Sequence, residues 1–334
     1  MRTEISRLLR YSFVAILLLC ETTTFSQSNL EIHRKGPASV KISLNAYSFT
    51  KPLLDQAKGR GNGSGMSVFE LMDYAAEQGF DAVDLTAYFF PGYPAVPSDE
   101  YINNLKRYAF QRGLDISGTG VRNDFADPDP AVRAAGIKHV KEFIDVAAKL
   151  GAPVIRVFSG PIPVGYENKW DEIAKYMTEC LKECAEYGKL RGVLVGVQNH
   201  GDFLKTADQT IKLVKMVNSD WLGVINDTGY FLTDDPYTDI EKVMPYTVNF
   251  QLKESVFGAK SDVKIDLKRI MEIMKRSGYR GYMPIETLSP VGGNKNKKNT
   301  STDNATARPV YDPYTVVPAF MKKVKEAQKE AFNL

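Results

Sequence analysis

Cysteine and histidine are scarce, with three of each in 334 residues. Cys20 falls in an N-terminal leader described below, which leaves Cys180 and Cys184. Their spacing places both on one face of a helix, where a bridge between them is geometrically awkward. They read as two small buried hydrophobes, which excludes a disulfide framework and a thiolate zinc site. Neither sign of charge is in excess. Lys and Arg number 43 against 40 Asp and Glu, a net charge of +3. The charges are interspersed, so no face is offered to nucleic acid. Long apolar runs are also missing. The single candidate, Tyr11 to Cys20, is too short to span a bilayer. It follows Arg2, Arg7 and Arg10 and precedes Thr24-Phe25-Ser26-Gln27, the order of a secretory signal. Residues 1–26 therefore read as a signal peptide. Leu19 is bulky where a small residue would precede a lipidated cysteine, which disfavours a lipoprotein. The mature chain is expected to be exported, periplasmic or extracellular, without a membrane span.

What is present is a repeat of short apolar strands and amphipathic helices. After a polar lead-in, 27–39, the strands are read at 41–47, 82–85, 115–118, 154–158, 193–197, 222–227, 248–252 and 282–285. Helices are read at 67–78, 99–112, 130–150, 169–191, 206–217, after Asp235, at 266–277 and at 315–332. Ser67 with Glu70 forms a capping box, Pro130 suits a first helical turn, and Gly151 suits a C-terminal stop. Eight strand–helix units in about 250 residues predict a single-domain α/β fold, a (β/α)8 TIM barrel over 40–334. The polar stretch 292–308 reads as a mobile insertion. A doubly wound open sheet is the alternative, but no glycine-rich phosphate fingerprint follows the first strand.

Four of the strands end in oxygen-bearing side chains: Gln198, Asp227, Gln251 and Glu286. In a closed barrel these ends share one mouth, where the active site of such barrels lies. Two carboxylates and two amide oxygens suit a hard divalent cation, Mn²⁺ or Mg²⁺ in preference to Zn²⁺.

These stretches resemble a known family. Gly196-Val197-Gln198-Asn199-His200, Asp227-Thr228-Gly229-Tyr230, Gln251-Leu252-Lys253-Glu254 and Gly278-Tyr279-Arg280-Gly281-Tyr282 leading to Ile285-Glu286 are similar to the sugar phosphate isomerase/epimerase family with a xylose isomerase-like barrel. The resemblance covers nearly the whole mature chain. It implies a divalent metal held at the positions of Gln198, Asp227, Gln251 and Glu286. Two departures stand out. The family places Glu where this chain has Gln198, and often His where it has Tyr230. An amide cannot take a proton at neutral pH, so of the family's acid/base pair only Glu286 remains. The resemblance then implies one-base, metal-assisted proton transfer beside a sugar carbonyl. A keto-glycoside lyase or keto-glucal hydratase on the same site, and a non-catalytic sugar-binding barrel, are the alternatives. A DNA-repair endonuclease on this barrel would need several metal-binding histidines, which the chain does not have.

His200 and Lys253 join Glu286 as catalytic candidates. Lys253 can be read as a cation holding a substrate oxygen or as a surface partner of Glu254. Arg122, Arg156, Tyr230 and Asn199 are the substrate-binding candidates, and Tyr88, Phe89, Phe90, Tyr93 and Trp170 could wall a sugar ring. An exported chain should meet free, oxidised or glycosidic sugars rather than sugar phosphates. The partner expected is a small carbohydrate, and a homo-oligomer is compatible with the sequence.

Overall fold

Eight parallel strands close on themselves in sequence order in the computed structural model, which describes residues 30–59, 65–201, 203–288 and 311–333. They are β1 Ser39–Asn45, β2 Ala82–Thr86, β3 Asp115–Gly120, β4 Val154–Phe158, β5 Leu194–Gln198, β6 Leu222–Asp227, β7 Thr247–Glu254 and β8 Arg280–Thr287. The α-helices among the described residues are α1 Thr50–Ala57, α2 Val68–Glu77, α3 Asp99–Gln111, α4 Pro130–Leu150, α5 Trp170–Arg191, α6 Ala207–Val217, α7 Pro236–Val243, α8 Leu267–Arg276 and α9 Pro313–Phe332. The (β/α)8 expectation is met, and the open-sheet alternative is overturned by the pairing of β1 with β8. Helix α1 has no counterpart in the sequence reading. The signal peptide, Cys20 and the 292–308 insertion lie outside the described residues.

Local signals explain most boundaries. The Ser67 hydroxyl accepts from Glu70 N–H at 3.2 Å, and the Glu70 carboxylate accepts from Ser67 N–H at 2.7 Å. Pro130 opens α4, and Gly151 ends it at φ 78°, a left-handed conformation glycine adopts without steric cost. Outward-facing strand side chains such as Val83, Ile155, Val195, Val224, Phe250 and Ile285 are buried beneath the helices. Each contributes about 1.5–3 kcal/mol relative to exposure. Cys180 and Cys184 are free and buried in the same shell.

The barrel lumen is more polar than the branched aliphatic filling usual for this fold. At the N-terminal end, Lys41 pairs with Asp115 at 2.6 Å and Tyr282 donates to the same carboxylate at 3.0 Å. One layer up, the Ser43 and Ser117 hydroxyls meet at 2.7 Å across the barrel. The next layer, at the C-terminal mouth, holds the acidic and amide side chains.

Candidate active site

Strand register assembles this layer. Inward residues alternate along a strand, so Gln251 and Lys253 both enter the lumen from β7, and Glu286 enters from β8. Gln198 pairs in register with Ile225, Asp227 with Gln251, and Lys253 with Glu286. A register shift in β6 at Val224/Ile225 sets the Asp227–Gln251 alignment. The result is a staircase that delivers the Lys253 ammonium between two carboxylates. Its Nζ lies 3.0 Å from Asp227 Oδ2 and 3.5 Å from Glu286 Oε1. The Gln198 amide donates to Asp227 Oδ2, and the Gln251 amide donates to Glu286 Oε2. All five side chains are buried, with Asp227 at 0% and Lys253 at 4% relative exposure.

Lys253 therefore faces inward and is not the surface partner of Glu254, which instead reaches Lys323 at 3.7 Å. Burial works against its charge, but Asp227 and Glu286 more than offset this and hold its proton more tightly than in water. Burial pushes the Glu286 carboxyl above its ordinary range; Lys253 opposes the shift and Asp227 adds to it. The Lys253 ammonium also lies 4.2 Å from the Tyr230 ring centre. Tyr230 in turn packs on His200, centroids 4.0 Å apart, and His200 on Phe158 at 4.7 Å. Burial, then Lys253 and Arg156, holds the His200 imidazole well below its ordinary value, so it is neutral at pH 7.

On the opposite wall, Arg156 donates to the Tyr88 hydroxyl and lies 4.1 Å from the Phe158 ring centre. Arg122 is exposed at the rim, 4.8 Å from the Tyr88 ring centre, and Arg156 lies 5.5 Å from the same ring, so Tyr88 is held by two guanidinium groups. Asp84, inward on β2, was not a sequence candidate. The signal was available, because an acid in the apolar run Ala82-Val83-Asp84-Leu85 has to be paid for by burial against a cation. Burial raises its carboxyl to about 6, against the pull of Arg156. Gly118 leaves its space, since a Cβ there would sit 2.8 Å from Asp84 Oδ2.

Asn199, a substrate-binding candidate, is tied to the backbone of Asp227. Its amide donates to Asp227 O at 3.0 Å and its oxygen accepts from Asp227 N–H at 2.8 Å. Both halves of a fully buried side chain are committed to backbone, so Asn199 positions Asp227. Trp170 is likewise outside the site: it stacks on Phe203 at 5.0 Å and donates to the Phe203 carbonyl. Phe89 and Phe90 are core residues. Tyr93 stays at the rim, where its hydroxyl accepts from Arg122 N–H at 3.0 Å.

Residues 72–306 match the family model of the xylose isomerase-like TIM barrel. The chain belongs to that family. Among known proteins of this kind, an inosose isomerase of Halalkalibacterium halodurans is 22% identical over 239 residues, covering 66% of this chain and 82% of its own. D-psicose 3-epimerase of Clostridium cellulolyticum H10, solved with D-tagatose, is 21% identical and superposes with a TM-score of 0.60 over 74% of this chain and 84% of that one. IOLI, solved with a zinc atom, is 13% identical and superposes with a TM-score of 0.64 over 87% and 97% of the two chains. The chain is thus similar in sequence to a sugar isomerase, and in fold to a sugar epimerase and to a zinc-bound protein.

The donor set of this member does not fit a divalent ion as it is arranged. The carboxylate oxygens that would face a metal accept instead from Lys253 and from two amide N–H groups. Two carboxylates and one ammonium carry a single net negative charge, and a divalent ion added to them would make a buried positive cluster. Among the described residues no group of three or more His, Cys, Asp or Glu side chains is placed to hold a metal. The expected ligand set of Gln198, Asp227, Gln251 and Glu286 does converge, but around an ammonium.

Proposed function

We propose that this chain is a sugar isomerase-like enzyme that moves a proton between a carbonyl carbon and the carbon beside it. The observation that carries the reading is a buried carboxylate, Glu286, aligned in register with an ammonium, Lys253, at the mouth of a barrel. The ionised Glu286 takes the C–H proton beside the carbonyl, and the electron pair moves to the carbonyl oxygen. Lys253 donates a hydrogen bond to that oxygen as its charge grows, the preorganised stabilisation that contributes most when water is excluded. Glu286 then returns the proton to the neighbouring carbon. Neutral His200 accepts a hydroxyl proton at one nitrogen and gives one up at the other, with Tyr230 against it. Arg156 and Arg122, set on Tyr88, hold the distal hydroxyls. Asp227 fixes the lysine.

Gln198 supports one-base chemistry over two-base epimerisation, because the second acid/base position holds an amide. A keto-glycoside lyase would share the first step and then expel the leaving group from the carbanion, and a keto-glucal hydratase would run that sequence in reverse with water as the nucleophile. The reading includes export, so free or oxidised sugars and glycosides are the compounds to test. Aldoses, ketoses and 3-keto-glycosides are incubated with the protein in deuterated water, with and without Mn²⁺, and examined by NMR and mass spectrometry. Deuterium in an isomerised sugar is the expected result. An unsaturated product would assign the lyase reaction instead. Sugar that binds but never acquires deuterium would identify a sugar-binding barrel and overturn the proposal.

A further inference from the structure

We infer that Lys253 is the built-in cation of this site, standing where the xylose isomerase-like family admits a divalent metal, so that the protein neither needs nor retains one. The inference shares its residues with the proposed proton transfer but rests on geometry and charge alone.

The lysine is built in rather than fallen in. It leaves β7 on the luminal side, two residues beyond Gln251, so strand alternation fixes its direction. Its backbone N–H donates to Thr228 Oγ1 at 3.0 Å, which anchors the base of the side chain to the β6 turn. Its stem runs over Gly229, where a Cβ would approach Lys253 Cδ to 2.9 Å and Asp227 Oδ1 to 3.3 Å. Any other residue at 229 would push the lysine out of line. The head has three N–H groups. Two face Asp227 and Glu286, and the Tyr230 ring lies beside the ammonium. No carboxylate oxygen turned into the cluster is left without a donor: Gly229 N–H takes Asp227 Oδ1 at 2.8 Å, and the two glutamine amides take one oxygen of each acid.

The charge count agrees with the packing. The resemblance places a Glu at position 198, which would bring a third negative charge. This chain has an amide there, and a fixed positive charge two residues past the other amide. With an amide at 198, Asp227 and Glu286 are the two acids of the cluster, and the Lys253 ammonium between them leaves one net negative charge.

The inference is tested by metal binding, not turnover. The full-length protein is stripped with EDTA, dialysed and titrated with Mn²⁺, with free ion read by electron paramagnetic resonance and the melting temperature read by circular dichroism. The wild type is expected to leave Mn²⁺ free and its melting temperature unmoved. Lys253→Ala opens the lysine's space beside two carboxylates, so it should take up Mn²⁺ and melt at a higher temperature when the ion is present. Lys253→Gln, which keeps more of the packing, serves if the alanine variant does not fold. Uptake of one Mn²⁺ per chain by the wild type, lost in Asp227→Asn, would overturn the inference. So would a folded Lys253 variant that gains no affinity for Mn²⁺. Neither result depends on sugar exchange, so the failure of one proposal leaves the other standing.

Discussion

Replacing Lys253 with methionine removes the one ammonium shared by Asp227 and Glu286 and keeps most of its volume. Both acids are buried, at 0% and 3% exposure. Water cannot compensate the loss. Breaking a buried ion pair by deleting one partner costs about 3–5 kcal/mol. At about 2–4 °C per kcal/mol for a large domain, the melting temperature should fall by roughly 6–20 °C. The pH dependence gives the sharper check. Glu286 already lies above its ordinary range because of burial, with Lys253 pulling it down. In the variant that pull is gone and the carboxyl rises further. A raised carboxyl binds its proton more readily folded than unfolded, so stability falls as pH rises through the window between the two values. The deficit of Lys253→Met should therefore be largest near pH 8 and shrink as the solution is acidified towards the ordinary carboxylate range. Urea unfolding followed by circular dichroism at a series of pH values measures it. A deficit below about 1 kcal/mol at pH 8, the size of a solvent-exposed pair, or one that grows on acidification, would refute the buried-pair argument.

Glu286→Gln keeps shape and removes the base; catalysed exchange should drop by about 10²–10⁴-fold while the fold is retained, as read by deuterium incorporation beside circular dichroism. Asp84 titrates at about 6 when folded, from an ordinary value of 3.8. Stability is thus lost as pH rises through about 6, so Asp84→Asn should stabilise the protein at pH 8 by up to about 3 kcal/mol and have little effect at pH 4. Equal effects at both pH values would show that Asp84 is not strained by its charge. Asn199→Ala removes both hydrogen bonds to the Asp227 backbone and should cost about 1–3 kcal/mol with a fall in kcat rather than a change in KM. An altered KM alone would restore Asn199 to the substrate.

The layout of the barrel was legible because its signals are local. Capping residues, an N-terminal proline and a stopping glycine mark α2 and α4 within a residue or so, since each is set by the hydrogen bonds of one helical turn. Gln198, Asp227, Gln251 and Glu286 stood out for the same reason: a polar side chain follows a short apolar run, although β7 and β8 continue past Gln251 and Glu286. Family membership followed from those motifs taken together. Helix α1 was missed, since Thr50 to Ala57 has only Leu53 buried and offers almost no periodic face to read.

The sequence alone thus determined eight strand–helix units, a closed parallel barrel and the four polar side chains at one mouth. It did not determine what those four side chains do for one another. That Lys253 lies between the acids, that Asn199 is spent on backbone and that Asp84 shares the pocket with Arg156 are decided between strands. They depend on the register shift in β6 and on the stagger of β6, β7 and β8, which set residues distant in the chain at one height in the lumen. Local chemistry fixes which way a side chain leaves its strand; only closure of the sheet fixes which charge it meets.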